Sequence, residues 1–222
     1  MNSPTSLPVT RSKQQAREYY SSISGFYDLL SGGAEARLRK EAFRRLAIRP
    51  GEKILEIGIG TGRGLREAVE ASGPAGRAVG VDISDGMLAV ARKYLQDAGL
   101  AERTGLLGAD GAGLPFRDGV FDAAFLSFTL ELFDAVEIPA VLGGCRRVLK
   151  EAGRLGVVCM ALAPDPNWLS RLYGAMHAAF PVWVDCRPID ARPDLEAAGL
   201  TVVYSSRESM FSLPVDILIA QK

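Results

Sequence analysis

The sequence predicts an α/β fold with a mostly parallel, seven-stranded sheet and helices on both of its faces. From residue 53 to residue 162, short apolar runs typical of strands alternate with segments of helical periodicity, which indicates βαβ units with right-handed crossovers. The last two apolar runs are joined by a stretch too short for a helix, so they predict an antiparallel hairpin at one edge of the sheet. A length of 222 residues favours one domain over two.

The chain begins with a segment for which no regular structure is predicted. Residues 1–11 are rich in Ser, Thr and Pro and predict a flexible tail. The single domain then covers residues 12–222, and its first part, residues 12–49, predicts a helical cap.

The helical cap contains two predicted helices. The first covers residues 12–30 and is interrupted by Gly25, and the second covers residues 34–47. The tripeptide SGG at 31–33 predicts a break between them, and RPG at 49–51 ends the second helix.

The alternating region predicts five strands with helices between them. Ser84 N-caps the clearest helix, whose apolar residues recur at 3.6-residue spacing. In order, the predicted elements are strand 53–57, helix 62–71, strand 77–82, the helix after Ser84, strand 104–107, strand 120–127, helix 135–150, strand 153–162 and the hairpin strands 200–205 and 214–220.

Charge and cysteine content limit the classes of partner and site. Lys+Arg and Asp+Glu balance at 26 each, so the net charge gives no argument for nucleic acid. The basic run at 37–49 is interpreted as a solvated helix face. The three cysteines show no CxxC spacing, which predicts no metal site and suits a reducing cytoplasm. Cys145 and Cys159 lie in apolar patterns and are interpreted as buried structural thiols.

The N-terminal residues and the hydropathy pattern bear on localisation. The first residues lack the apolar core of a signal peptide, and no run approaches the roughly 18 apolar residues of a membrane span. The sequence therefore predicts a cytoplasmic protein with at most peripheral membrane contact. It leaves the oligomeric state open, with a homodimer as one expectation.

Three acidic residues follow or close successive predicted strands. Glu56 and Asp82 close the first two, and Asp110 follows the third. Each alone is equally well explained as a cap or a turn former. In an open parallel sheet, ligands bind beyond the carboxyl ends of the strands. Three acids there, with the glycine-rich stretch ILEIGIGTGRG at 54–64, predict a ligand site.

The glycine spacing indicates which class of ligand binds. Asp82 lies 20 residues after Gly62, a spacing at which a carboxylate meets ribose hydroxyls. The run is GxGxG, and Arg63 occupies the place of the third glycine of a dinucleotide fingerprint. No GxxxxGK[ST] phosphate loop is present either. The pattern favours a nucleoside without a pyrophosphate.

Four motifs together resemble the class I S-adenosylmethionine-dependent methyltransferases. They are ExGxGxG after a strand, the acid that closes strand two, GADGAGLPFRDGVFD and RRVLKEAGRLGVV, and the similarity covers about residues 40–222. The LPF…D…FD run and the segment YYSSISGFYDLL most resemble the UbiE-like quinone methyltransferases. Glu56 and Ile59 depart from the DxGCGTG form common in that group.

This resemblance implies a Rossmann-like methyltransferase sandwich, S-adenosylmethionine as cofactor and S-adenosylhomocysteine as product. It also implies a set of binding residues. Met87 and Phe128 have the alternative of simply packing in the core. The implied contacts are Glu56, Gly58, Gly60 and Gly62 at the methionine part, Asp82 at the ribose, Ile83 and Met87 beside the adenine, Asp110 and Gly111 at its amino edge, Ser127 and Phe128 at the sulfonium, and Tyr20 or Tyr27 over the methionine end.

The acceptor side is expected from an insertion at 163–190, which in this fold usually covers the acceptor pocket. It predicts an apolar lid, since it carries Trp168, Leu172, Tyr173, Met176, Phe180 and Trp183. The apolar lid therefore predicts a small lipophilic acceptor, such as a quinone precursor. Phospholipid or small-amine methylation is the alternative, a non-catalytic cofactor-binding module is another, and a nicotinamide oxidoreductase is disfavoured by the glycine spacing.

Two residues are candidate catalytic groups. His177, the only histidine, lies in the insertion and could act as a base, with a surface or core histidine as an equally good interpretation. Glu131 could orient the acceptor or merely begin the next loop. Asp185 and Arg187 are candidates for substrate contacts or structural ion pairs.

Overall fold

The computed structural model describes residues 14–15, 18–19, 27–162 and 187–222, with only the backbone given for 27–34. The predictions for the tail, for Tyr20 and for most of the 163–190 insertion, including His177 and Asp185, lie outside the described residues. The side chain of Tyr27 does so too. The elements are α1 (Tyr27–Leu46), β1 (Lys53–Ile57), α2 (Arg63–Ala71), β2 (Arg77–Asp82), α3 (Asp85–Asp97), β3 (Thr104–Gly108), β4 (Phe121–Ser127), α4 (Ile138–Val148), β5 (Leu149–Met160), α5 (Ala191–Ala197), β6 (Thr201–Met210) and β7 (Leu213–Gln221).

Helix α1 corrects the prediction of a break at residues 31–33. The helix runs without interruption from Tyr27 to Leu46 and passes through both glycines. A glycine costs a helix only about 1 kcal/mol relative to alanine, which packing elsewhere can offset. The second half of α1 supplies that packing, because Leu38, Ala42 and Leu46 are buried against the sheet.

The seven strands form one sheet in the order β3-β2-β1-β4-β5-β7-β6. Strands β1 to β5 pair in parallel, and β7 lies antiparallel between β5 and β6. This confirms the predicted parallel sheet with its closing hairpin. No described helix is long and apolar enough to cross a membrane.

Alternate residues of the strands point to two separate cores. On one face, Leu55 and Leu126 pack with α4 and α5; on the other, Ile54 and Phe125 pack with α1, α2 and α3. Helices therefore cover both faces, as predicted.

The order of the strands reverses between β1 and β4, which are neighbours in the sheet although β2 and β3 lie between them in the chain. A crevice forms at the carboxyl ends of such a pair of strands. The glycine-rich stretch follows β1 at this point, so the fold brings the predicted ligand residues to the switch point.

Candidate active site

Glu56 lies near the carboxyl end of β1 and is only 3% exposed. Its Oε2 is buried and has no hydrogen-bond partner among the described residues. Room for the carboxyl group depends on Gly64 in α2, because a Cβ atom there would overlap Oε1 and lie 2.9 Å from Cδ. A buried carboxyl oxygen without a partner costs free energy, so this atom is a strong candidate to meet a donor on a ligand.

The charge of Glu56 is set by competing influences. Burial raises its pKa, the guanidinium of Arg39 lowers it, and the carboxylates of Glu67 and Asp82 raise it, with a net pKa of about 8. Burial is the largest of these effects, since it penalises the charged form. Near neutral pH, Glu56 is therefore mostly protonated before any ligand binds.

This ionisation predicts a pH-dependent change in stability. The folded-state pKa of Glu56 lies above its ordinary value of 4.5, so stability falls as the pH rises from about 4.5 to about 8, by up to about 1.4 kcal/mol per pH unit. Glu56→Gln removes this loss. The difference in free energy of unfolding between variant and wild type, measured by urea denaturation, should grow in favour of the variant from pH 6 to pH 8. A constant difference would contradict the assignment.

Asp82 closes β2 and holds the glycine-rich loop in place. Its Oδ2 accepts a hydrogen bond from Gly60 N–H (2.9 Å), and its Oδ1 accepts one from Ser84 N–H (2.8 Å). Ser84 in turn caps α3, because its Oγ accepts from Met87 N–H (3.2 Å). Burial raises the pKa of Asp82, and the amides that donate to it partly offset this effect.

The three predicted glycines of the loop differ in what surrounds them. Gly58 has φ +71° and a Cβ there would overlap Thr129, while Gly62 has φ +84°, N-caps α2 and lies against Ala91. At Gly60 a Cβ would meet no atom within 4 Å. Gly58 and Gly62 thus serve the packing of the loop, and Gly60 faces open space.

Thr129 is a site residue that the sequence analysis missed. It is buried, and its Oγ1 donates a hydrogen bond to the carbonyl oxygen of Ser127 (3.0 Å). Its contact with Gly58 joins the loop after β1 to the end of β4. No local motif marks a threonine for such a contact, because the two segments are about 70 residues apart.

Asp110 and Gly111 begin a short helix after β3. Asp110 Oδ1 accepts a hydrogen bond from Ala112 N–H (2.9 Å). A Cβ at Gly111 would lie 2.8 Å from Ile57 and 2.9 Å from the ring of Phe133, so glycine is required there by packing. Phe133 was not predicted.

Ser127 and Phe128 lie where β4 ends beside β5. The N–H of Phe128 donates to the carbonyl oxygen of Val158 (2.8 Å), and its backbone has φ +50°. Such a conformation is unfavourable for phenylalanine and is often retained at functional sites. The Phe128 ring is buried in the α1–α3 core, and Met87 is only 2% exposed. Ile83 is half-buried. Both core packing and a ligand contact are compatible with these positions.

Glu131 is fully buried and joins the ends of β4 and β5. Its Oε1 accepts a hydrogen bond from Met160 N–H (3.0 Å). Arg187, only 1% exposed, donates to the carbonyl oxygens of Glu131 (3.2 Å) and Phe133 (2.6 Å). Arg187 therefore supports the loop after β4 through hydrogen bonds to backbone carbonyl oxygens, and its substrate contact or ion pair stays a prediction.

Cys145 and Cys159 are buried free thiols, as predicted. Burial raises the pKa of Cys145 to about 12 and that of Cys159 well above its ordinary value. Both thiols stay protonated, so neither is a nucleophile at neutral pH.

Comparison with known proteins identifies the family. A family model described as "Methyltransferase domain" matches residues 54–153. The "Ubiquinone/menaquinone biosynthesis C-methyltransferase UbiE" of Ectopseudomonas mendocina is 32% identical over 178 residues, which are 78% of this chain and 68% of that protein. Its counterpart in Pseudomonas syringae pv. tomato is 32% identical over 95% of this chain and 83% of its own length. This chain is a class I S-adenosylmethionine-dependent methyltransferase related to UbiE.

Solved structures agree on the fold of this methyltransferase. The [4+2]-cyclase SpnF superimposes with a TM-score of 0.77 at 20% identity, over 99% of both chains. A methyltransferase from Haloferax volcanii, solved with its Trm112 activator, gives a TM-score of 0.76 at 17% identity, over 92% of this chain and 96% of that one. At such identities these structures show the fold alone.

The site of this methyltransferase fits its cofactor, S-adenosylmethionine. The unpartnered buried Oε2 of Glu56 suits a cationic donor such as the ligand's ammonium group. The open space at Gly60 leaves room for a ligand against the loop backbone. The bound cofactor would supply a methyl group on an activated sulfonium. The residues of this chain would bind the cofactor and orient it toward the acceptor.

Proposed function

We propose that this methyltransferase methylates a small lipophilic acceptor, with a quinone precursor methylated at carbon as the leading candidate. The observation that carries the proposal is the similarity to curated UbiE proteins, which reaches 32% identity over 83% of the relative's length. Those relatives are named as C-methyltransferases of ubiquinone and menaquinone biosynthesis. The aromatic and aliphatic residues in the sequence of the 163–190 insertion support the prediction of an apolar acceptor pocket.

The cofactor contacts are part of this proposal. We infer that Glu56 binds the ammonium end, because its buried Oε2 lacks a donor. The Asp82 carboxylate binds the ribose hydroxyls while it keeps the Gly60 amide in place. Asp110, at the start of its short helix, meets the amino edge of the adenine.

The remaining cofactor contacts line the ends of β2 and β4. Ile83 and Met87 flank the adenine, and the end of β4 borders the sulfonium through Ser127 and Phe128. The strained backbone of Phe128 supports this assignment, since it fixes where β4 ends. Tyr20 or Tyr27 closes over the methionine end.

Methyl transfer needs alignment of the acceptor, the methyl group and the sulfur more than it needs covalent help from the protein. A carbon acceptor on a phenolic ring also benefits from a base that removes a proton. We propose His177 for this role and Glu131 as a residue that orients the acceptor. The Glu131 carboxyl group accepts a hydrogen bond from the Met160 amide, which fixes it at the carboxyl end of β5.

The acceptor is tested by a screen with S-adenosylmethionine labelled on its methyl group, using quinols, phospholipids and small amines. The proposal predicts label on carbon of a quinol-type compound, and label only on phospholipid or amine would contradict it.

Once an acceptor is known, His177→Ala should lower kcat about 100-fold or more, in the range of general base catalysis. Its affinity for S-adenosylhomocysteine should stay within twofold of wild type. Unchanged kcat would remove His177 from the mechanism.

A further inference from the structure

An ion pair between the buried Arg39 and the partly exposed Glu67 joins α1 to α2 next to the proposed cofactor site. Arg39 of α1 is only 7% exposed. Its Nε and a terminal nitrogen donate to the two carboxylate oxygens of Glu67, at 3.2 and 2.9 Å. Arginine is seldom so deeply buried without a function or a firm partner. Gly64 of α2 lies against the Glu56 carboxyl group, and Glu67 follows Gly64 by three residues on the same face of that helix, so the pair lies about one helical turn from the carboxyl group.

The two members of the Arg39–Glu67 pair have opposite effects on the ionisation of Glu56. Arg39 favours the carboxylate form of Glu56, and Glu67 opposes it. Within the part of the chain that the structure describes, a third charged group that influences Glu56 is Asp82, at the end of β2, which also opposes ionisation. Glu35 of α1 acts on Arg39 itself. Burial and the two neighbouring carboxylates therefore outweigh Arg39, and Glu56 stays mostly protonated near neutral pH.

Building on the proposed contact between Glu56 and the ammonium end of the cofactor, we propose that Arg39 and Glu67 are positioning residues that set the charge of Glu56. Cofactor binding near neutral pH is then coupled to proton release. The O–H bond of the Glu56 carboxyl group breaks, its proton passes to solvent, and the carboxylate pairs with the ligand's ammonium group.

The coupling gives wild-type protein a defined pH profile. Only the ionised form of Glu56 pairs with the ammonium, so affinity should rise with pH, at most tenfold per unit, and level off near the midpoint of Glu56 ionisation. The ligand's own amine is part of a free amino acid, and its neighbouring carboxylate keeps it protonated to a higher pH than a peptide α-amino group, whose pKa is roughly 7.7–8.0. Glu56→Gln separates the two effects, because only the ligand's titration remains in that variant.

The test is calorimetric titration with S-adenosylhomocysteine from pH 6 to pH 9, in two buffers of different ionisation enthalpy. Wild type should release most of one proton per ligand at pH 7. Arg39→Gln should move the affinity midpoint up in pH, and Arg39→Lys should restore it. Glu67→Gln should move the midpoint down. Arg66→Gln, which alters a surface ion pair with Glu70 on the same helix, should leave the midpoint in place.

Several outcomes overturn the inference. They are a wild-type affinity that does not vary between pH 6 and 8, an unmoved midpoint in Arg39→Gln, and shifts of the same sign in Arg39→Gln and Glu67→Gln. If Arg39→Gln fails to fold, Glu67→Gln carries the test alone, because its amide oxygen still accepts from Arg39. A different result would contradict the proposed contact between Glu56 and the ligand's ammonium group: Glu56→Gln would then bind the ligand as tightly as wild type at every pH.

Discussion

Asp82→Ala is expected to lower the affinity for S-adenosylhomocysteine about 100-fold or more. The proposed ribose contacts are hydrogen bonds to a charged group, each of about 1.5–3 kcal/mol. Loss of two such bonds corresponds to at least two powers of ten in Kd. The loop also loses its support, because the Gly60 and Ser84 amides donate to this carboxylate. Calorimetric titration measures the effect directly.

The Asp82 experiment has a matched control on α3. Asp97 is an exposed carboxylate that pairs with Lys93 on the helix surface, so Asp97→Ala should bind like wild type. Circular dichroism separates lost binding from lost fold. Asp82→Asn keeps one acceptor oxygen and should fall between wild type and Asp82→Ala. An Asp82→Ala protein that is folded and binds within threefold of wild type would contradict the assigned role.

Gly64→Ala is expected to destabilise the wild-type protein and to stabilise a Glu56→Ala variant. In wild type, the new methyl group overlaps Glu56 Oε1 and forces the carboxyl group to move, at a cost of about 1–3 kcal/mol. Without the Glu56 side chain this overlap is absent. Alanine then gains up to about 1 kcal/mol over glycine as the better helix former. The same substitution should lower cofactor affinity at least tenfold in wild type, because Glu56 is displaced.

The sign of the Gly64 effect is read from urea denaturation of four proteins: wild type, each single variant and the double variant. Gly143 in α4 supplies the control, since a Cβ there would meet no atom within 4 Å. Gly143→Ala should stabilise both backgrounds equally. If Gly64→Ala changes stability by the same amount with and without Glu56, the two residues do not compete for the same space.

Much of the fold follows from local patterns. The bounds of β1 and β2 match the prediction because each is a short, largely buried run, β1 being followed by Gly58 and β2 ending at Asp82. β6 extends to Met210, five residues past its predicted end. As an edge strand it alternates exposed and half-buried residues, so its sequence resembles a polar loop. β5 begins at Leu149, four residues before its predicted start.

The site was only partly predictable, for a different reason. Glu56, Asp82 and Asp110 were found because strand ends and glycine spacing mark them locally. The contacts that give them their properties join distant segments: Gly64 to Glu56, Thr129 to Gly58 and Arg39 to Glu67. Such pairs leave no periodic signal in a single sequence. Arg39 in particular was interpreted as part of a solvated basic face, and its burial against α2 corrects that view.

We propose that one site, built at the ends of β1 and β2, binds the cofactor by its ammonium and ribose groups. A crystal structure of the complex with S-adenosylhomocysteine tests it most directly. We predict the ligand's ammonium nitrogen within hydrogen-bond distance of Glu56, about 2.7–3.2 Å, and the ribose hydroxyls at the Asp82 carboxylate. A ligand whose ammonium and ribose groups contact neither carboxylate would contradict the account.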